Sequence, residues 1–486
     1  MNNLRAFVAG TLNRSVLAAA LVTAPVVSTT LVNGIAPEQS VWSVGVVQAQ
    51  DLIQPASERP EARRVPGVSQ GLSEELSEVQ SFLDPEAPED GSEPPEPDLD
   101  EALRLLREME AKIDEYNAYE QAQIYNFLAN VHFQMDNMEQ TIAAFEEVVS
   151  KSPQIPSGLE TSTWQVLGKL HMQEENFEAA LEAFENWTDM VTSIDADQYY
   201  VFSLLFYQMG NSERALAHVN EAVRKAEANG ETPEENWYAM QRLLYFEKED
   251  YVNTAKVLEN MVRDYPKVST WRQLSDIYSL LERYDDRLHS LELVYMLDGL
   301  DKENILISLA SMFLDREVPY KAAKILNKGI YEDEYIEPTS KNLELLANSW
   351  SLARETDKAM EEMEKAAEKS DDGDLFARLS ALYMLEERYD DSIEAGEEAL
   401  DKGVDRSDQV YLRMGTAYVN MGDYDQAIET LEKAAKDKRS ADSAKQWINY
   451  AKREQNREKE LEREQERIEE QERKRAEQDG IVLPGA

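Results

Sequence analysis

The chain has 486 residues, 42% of them apolar, and carries 96 acidic against 50 basic side chains, a formal charge of −46. So acidic a surface repels the phosphates of nucleic acid and of anionic membranes, and suits a basic or neutral protein partner. The lack of cysteine removes a lipidated cysteine, disulfides, thiol catalysis and cysteine-ligated zinc from consideration.

Residues 1–49 read as a signal peptide. Arg5 and Arg14 give a basic start, Val16 to Val32 is largely apolar, and Val47-Gln48-Ala49 offers small residues for cleavage before Gln50. That address is a bacterial periplasm. The long cleavage region from Asn33 to Ala49 leaves an uncleaved inner-membrane anchor as the alternative, with the remainder peripheral to that membrane. Residues 50–98 read as an acidic, proline-rich, disordered linker. Asp84 to Glu101 alone holds nine acidic residues and five prolines, which cannot bury a core. Within it Arg59, Arg63 and Arg64 form a short basic contrast, either a docking tag or part of a solvated linker.

A helix is expected from Leu99, capped by Asp98 or Asp100, with Leu103, Leu105 and Leu106 inward. Then one pattern recurs nine times. Its second-helix anchors are Thr141, Ala180, Ala215, Thr254, Arg287, Ala322, Ala359, Ser392 and Ala427, spaced by 33–39 residues. Twelve residues before each lies a first-helix position: Ala129, Gly168, Ser203, Arg242, Ser275, Ala310, Ala347, Ser380 and Gly415. Three residues after each of these comes a ring: His132, His171, Phe206, Tyr245, Tyr278, Phe313, Trp350, Tyr383 and Tyr418. Small residues let two helices cross closely, and the ring fills the space beside the crossing. Arg242 and Arg287 depart from this, which predicts looser packing around repeats four and five. Asp136-Asn137, Glu175-Asn176, Gly210-Asn211, Glu249-Asp250 and Gly422-Asp423 supply turn and cap chemistry between the helices, while Pro153 and Pro266 fall where second helices should stop.

The best copy, Trp164-x2-Leu167-Gly168-x2-His171 followed by Ala180-x3-Phe184, resembles the helix–turn–helix signature of the tetratricopeptide repeat (TPR). The fold expected is all-α, a TPR-type solenoid of about nine units over 99–450. Its capping helix has Trp447 and Ile448 turned inward. A charged helical tail at 451–479 is held by pairs such as Glu454/Arg457, Glu464/Arg467 and Glu470/Lys474, and residues 480–486 read as a disordered terminus.

Chemistry is sparse. His132 and His171 occupy packing positions, His218 and His289 lie on second helices, and carboxylate pairs are unavoidable among 96 acidic residues. There is no Gly-rich phosphate loop, HExxH or GxSxG. The expectation is a non-enzymatic scaffold with no catalytic residue, cofactor, metal or small-molecule substrate. Its partner-binding face should be the wall of first helices. There the positions three before, one after and four after the first-helix residue give Asn126, Asn130 and Phe133; Gln165, Lys169 and Met172; Tyr200, Leu204 and Tyr207; and, further on, Arg272 and Asn348. Asn126, Asn130, Gln165 and Lys169 form the central patch, suited to a peptide backbone or carboxylate.

Several stretches resemble one family more closely: Leu99-Asp-Glu-Ala-Leu-Arg-Leu-Leu106, Glu235-Asn-Trp-Tyr238, Pro319-Tyr-Lys-Ala-Ala-Lys-Ile-Leu326, Asn342-Leu-Glu-Leu-Leu-Ala347 and Ser370-Asp-Asp-Gly373. They are similar to exported TPR proteins found beside TonB-type energy-transduction genes in Gram-negative bacteria. The resemblance implies a periplasmic accessory of the TonB–ExbB–ExbD machine that drives nutrient uptake through outer-membrane receptors, with a component of that system as partner. The alternative with the same fold and address is a scaffold for polysaccharide export or cell-wall assembly.

Overall fold

The structure, a computed structural model, describes residues 52–58, 63–85 and 96–478. The expected signal peptide, Arg59, the proline-rich stretch at 86–95 and the terminus at 480–486 lie outside the described residues. Those described form α-helices, one 3₁₀ turn at Ile113–Glu115, and no strand. Helix α1 spans Gln70–Leu83 and α2 Leu99–Glu110. Nine pairs follow: α3 (Ala118–Gln134) with α4 (Met138–Ser150), α5 (Ser157–Gln173) with α6 (Phe177–Thr188), α7 (Ala196–Gln208) with α8 (Ser212–Ala228), and α9 (Glu235–Glu247) with α10 (Tyr251–Asp264). Next come α11 (Val268–Leu280) with α12 (Tyr284–Met296), α13 (Glu303–Asp315) with α14 (Pro319–Tyr331), α15 (Ser340–Leu352) with α16 (Thr356–Glu368), α17 (Asp374–Leu385) with α18 (Tyr389–Lys402), and α19 (Ser407–Met421) with α20 (Tyr424–Ala434). Helix α21 (Ala441–Gln478) closes the chain. Residues to Pro266 form one compact unit with repeats one to four; those from Lys267 form a second with repeats five to nine.

One backbone device makes every pair. Five residues before each anchor the chain turns left-handed: at Asp136, Glu175, Gly210, Glu249, Glu282, Glu317, Arg354, Glu387 and Gly422, with φ between +55° and +85°. Only two of the nine are glycine, the residue that adopts this conformation without strain. The next residue often caps the second helix: Asn137, Asn211, Asp250 and Asp423 each accept the amide three residues on, at 3.1–3.3 Å.

The first-helix position and its anchor meet at the helix crossing. A Cβ on Gly168 would stand 2.5 Å from Cε1 of Phe184, and one on Gly415 2.6 Å from Cγ of Leu431, so neither site admits a side chain without repacking. In repeat three Ser203 Oγ donates to the Ala215 carbonyl at 2.8 Å. In repeat eight Ser380 and Ser392 exchange hydroxyl-to-carbonyl bonds at 2.7 and 2.8 Å. Repeats four and five show the cost of arginine here. Partial enclosure pushes the Arg242 guanidinium below its ordinary range. In repeat five Arg287 Nε and Ser275 Oγ are buried with no partner among the described residues. Phe246, Val252, Leu280 and Tyr284 in these repeats are left exposed.

The ring position carries a second device. A basic side chain from the start of the second helix or the turn lies over the ring: Arg214 on Phe206 (3.8 Å), Arg283 on Tyr278 (4.4 Å), Lys321 on Phe313 (5.2 Å), Lys358 on Trp350 (4.6 Å) and Arg388 on Tyr383 (4.5 Å).

Two expectations change. The segment 50–98 is not linker throughout, since Gln70–Leu83 is helix α1. Leu72, Leu76, Val79 and Leu83 recur on one face, Ser69 caps it, and that face joins Leu106 and Ile124 in the first core. The acidic composition of 84–101 does not extend back over this stretch. The capping helix and charged tail are also one element, because nothing in Ala441–Gln478 interrupts the helix. Ala444, Ile448 and Ala451 are buried, Trp447 is half-buried, and the ion pairs Arg457–Glu454 (3.0 Å), Arg467–Glu464 (2.5 Å) and Lys474–Glu470 (2.8 Å) continue it into solvent. Helix α2 starts as expected, with Asp98 accepting the Glu101 amide at 3.1 Å.

Candidate functional site

In the first unit the sequence-derived wall lies on α3, α5 and α7. Asn126 and Asn130 are half-buried on α3, and Asn130 Oδ1 accepts from Gln134 Nε2 at 2.8 Å. Phe133 is half-buried against the first core. On α5, Gln165 Nε2 donates to Gln198 Oε1 of α7 at 3.2 Å, linking repeats two and three. Gln198 is buried, and its own amide nitrogen has no partner among the described residues.

Lys169 stands one turn beyond Gln165 and is half-buried. Burial pushes its ammonium below the ordinary lysine range, while Asp195 and Asp197 oppose this from a distance without a hydrogen bond. Asp197 is shifted the other way. Partial enclosure and the carboxylates of Asp195, Glu234 and Glu231 hold it above the ordinary aspartate value, and Lys169 pulls it down. Asp195 and Asp197 thus act on one hindered amine, while Asp195, Glu234 and Glu231 crowd Asp197.

The aromatic positions divide. Tyr200 belongs to the core: 6% exposed, it stacks on Trp237 with centroids 5.9 Å apart, and burial followed by Glu234 pushes its hydroxyl up to about 12. Met172 and Leu204 are buried too. Tyr207 remains half-open and donates to Glu247 at 3.3 Å. In the second unit Arg272 pairs with Asp301 at 3.5 Å and Asn348 is half-buried.

Sequence reasoning missed three features. Gln198 carries the inter-repeat amide link. Gln241 donates to Asn220 at 2.7 Å and Asn220 to Tyr245 at 3.0 Å, joining α8 to α9. The third is a docked strap preceding α1. Ile53 N–H donates to His218 Nε2 at 3.0 Å, Ala56 N–H reaches the Thr188 and Val191 carbonyls at 3.0 and 2.9 Å, and Arg63 pairs with the buried Glu160. A basic residue inside an acidic chain was the signal for it, but the acceptor, 97 residues away, was not identifiable.

Among the described residues no group of three or more His, Asp or Glu is placed to hold a metal ion, and no helix is long and apolar enough to cross a membrane. The family model described as tetratricopeptide repeat matches residues 122–154 and 408–436. No characterised protein sequence matches significantly. Several solved structures are similar to parts of the chain. A crystal structure of MamA protein is 18% identical, with 36% of this chain and 94% of that one covered at a TM-score of 0.30. A tetratricopeptide repeat protein from Parabacteroides merdae is 15% identical, with 55% and 99% covered at 0.30. The TPR2AB-domain:pHSP90 complex of yeast Sti1 is 15% identical, with 53% and 98% covered at 0.25. The helix pairs stand in one register from α3 to α20, and the family model matches the first and last of them. The chain thus folds as an all-α solenoid of tetratricopeptide-type helix pairs.

Proposed function

We propose that the chain is a periplasmic accessory of a TonB–ExbB–ExbD system, holding an extended, basic, proline-rich segment of one of its components against the first-helix wall of repeats one to three. The observation that carries this is the charge imbalance around Lys169. Partial burial, and then the carboxylates of Asp195, Glu234 and Glu231, raise Asp197, and a cationic partner relieves that crowding. Asn126, Asn130 and Gln165, each half-buried, supply amide groups for a peptide backbone beside it. A polyproline II segment is pre-extended and loses little entropy on docking.

The test is binding of purified residues 50–486 to the periplasmic domain of TonB at low and at raised salt. The reading expects salt-sensitive binding that Asp197→Asn with Glu234→Gln weakens about tenfold or more. Asn130→Ala with Gln165→Ala, which removes amide groups without altering charge, should weaken it independently of salt. No affinity for any periplasmic domain of the system at low salt would sink the proposal. Capture of polysaccharide-export or wall-synthesis proteins instead would favour the alternative scaffold.

A further inference from the structure

The strap preceding α1 is bound as a peptide ligand is bound. Its described residues, 52–58 and 63–69, have no regular secondary structure, yet they follow the rim of the first unit in reverse repeat order. Ile53, 6% exposed, is the aliphatic anchor at repeat three, where its amide meets His218. The Ala56 amide satisfies two carbonyls, Thr188 and Val191, between α6 and α7. Arg63 reaches Ser152 Oγ at 3.4 Å and pairs with Glu160 in the first turn of α5. The strap ends at α3, where the Gly67 carbonyl accepts from Asn117 Nδ2 at 3.0 Å and the Ser69 amide donates to Glu120 at 2.8 Å.

The rim side of these contacts is built in advance. Glu160 and Glu120 are 7% and 6% exposed, and a buried carboxylate is costly unless a donor meets it. Glu120 also accepts the Asn117 amide of its own cap; burial alone would raise its carboxyl, but those amide donors hold it below the ordinary range. Glu160 receives the guanidinium of Arg63 from the strap. One aliphatic anchor, a few backbone bonds and one ion pair are the scale of a reversible peptide contact, not of a core.

We infer that the rim of repeats one to three is a docking site for an extended segment of a protein partner, occupied in the resting molecule by the chain's own residues 52–58 and 63–69. The segment it fits carries a branched aliphatic residue, free backbone amides just after it, and an arginine ten residues on. The site is distinct from the first-helix wall and does not depend on that reading. Tethering explains why such a site stays closed. A short flexible tether presents its own segment at an effective concentration on the order of 1 mM, so a segment of ~10 μM intrinsic affinity weakens any rival ~100-fold.

The test uses the full chain and a fluorescent peptide of residues 50–69 supplied in trans, read by anisotropy. Ile53→Asp with Arg63→Glu in the full chain releases the tethered copy without altering the rim. It should bind the peptide at least tenfold more tightly than the unaltered chain. Ala56→Pro, which removes the amide donated to Thr188 and Val191, is a second release that leaves every rim residue in place and should act in the same direction. Adding Glu160→Gln to the released chain should lose most of that gain, and a scrambled peptide of equal charge should bind at least tenfold more weakly. Equal binding by released and unaltered chains, equal binding of the scrambled peptide, or no binding by either released chain while its unfolding temperature is unchanged would each overturn the inference.

Discussion

In repeat eight the two residues at the helix crossing, Ser380 and Ser392, exchange hydroxyl-to-carbonyl hydrogen bonds and are both fully buried. In repeat five the same positions hold Ser275 and Arg287, and there the serine hydroxyl and the arginine Nε are buried with no partner among the described residues. The register, turn and helix lengths are alike. The difference teaches that the crossing is a paired position: a residue is acceptable there only through what its counterpart twelve residues away offers. An unmatched polar atom costs on the order of 1–3 kcal/mol, whereas a matched pair is mildly stabilising.

The most severe way to break a crossing is steric. Gly168→Val puts a branched side chain where a single Cβ already stands 2.5 Å from the Phe184 ring, and should cost about 3 kcal/mol in denaturant unfolding of the first unit. Ser392→Ala in repeat eight removes one of the exchanged bonds and should cost about 1 kcal/mol. Arg287→Ala in repeat five restores the small anchor found in other repeats. It should move stability the opposite way, a gain of about 1 kcal/mol. A loss there would show that the arginine stem packs usefully and would break the comparison. Glu282→Gly, at the left-handed turn of the same repeat, should add about 0.5 kcal/mol by relieving the backbone, net of glycine's extra unfolded-state entropy.

The smallest effect is acid sensitivity, and it separates the two units. Burial holds His132 and His171 below the ordinary 6.5; Arg107 adds to this at His132, while Glu146 and Glu182 oppose it at His171. The unfolded chain then binds protons the folded one refuses, so their contribution to stability is present above about pH 6.5 and is lost as pH falls below it. The ring positions of repeats five to nine hold Tyr, Phe or Trp and lack this term. Hydrogen exchange at pH 7.5 and 5.5, corrected for intrinsic rates, should show repeats one and two losing protection first, and His171→Phe should blunt the loss at repeat two.

Much of the fold was readable because it follows from contacts close in sequence. The anchor register, the caps Asn137, Asn211, Asp250 and Asp423, and the helix stops before Pro153 and Pro266 all fall where spacing and turn chemistry put them. The candidate wall was readable only in part. Counting along a first helix identifies its exposed stripe in isolation. Whether a given position ends up buried, as Tyr200 and Met172 do, or half-open, as Lys169 and Tyr207 do, depends on side chains of other repeats, such as Trp237 stacked on Tyr200.

Taken alone, the sequence determined the helix pairs, their number and the small or ring-bearing positions at each crossing. These are set by i, i+3 and i+4 spacing and by a turn five residues before each anchor. Tertiary structure decided which polar atoms are matched. Packing alone brings Arg63 to Glu160, the Ile53 amide to His218, Asp195 and Asp197 within reach of Lys169, and a cation over the ring in five of the nine repeats. Helical periodicity specifies a face; the partner that face meets is chosen by the stacking of whole repeats, whose geometry no local spacing encodes.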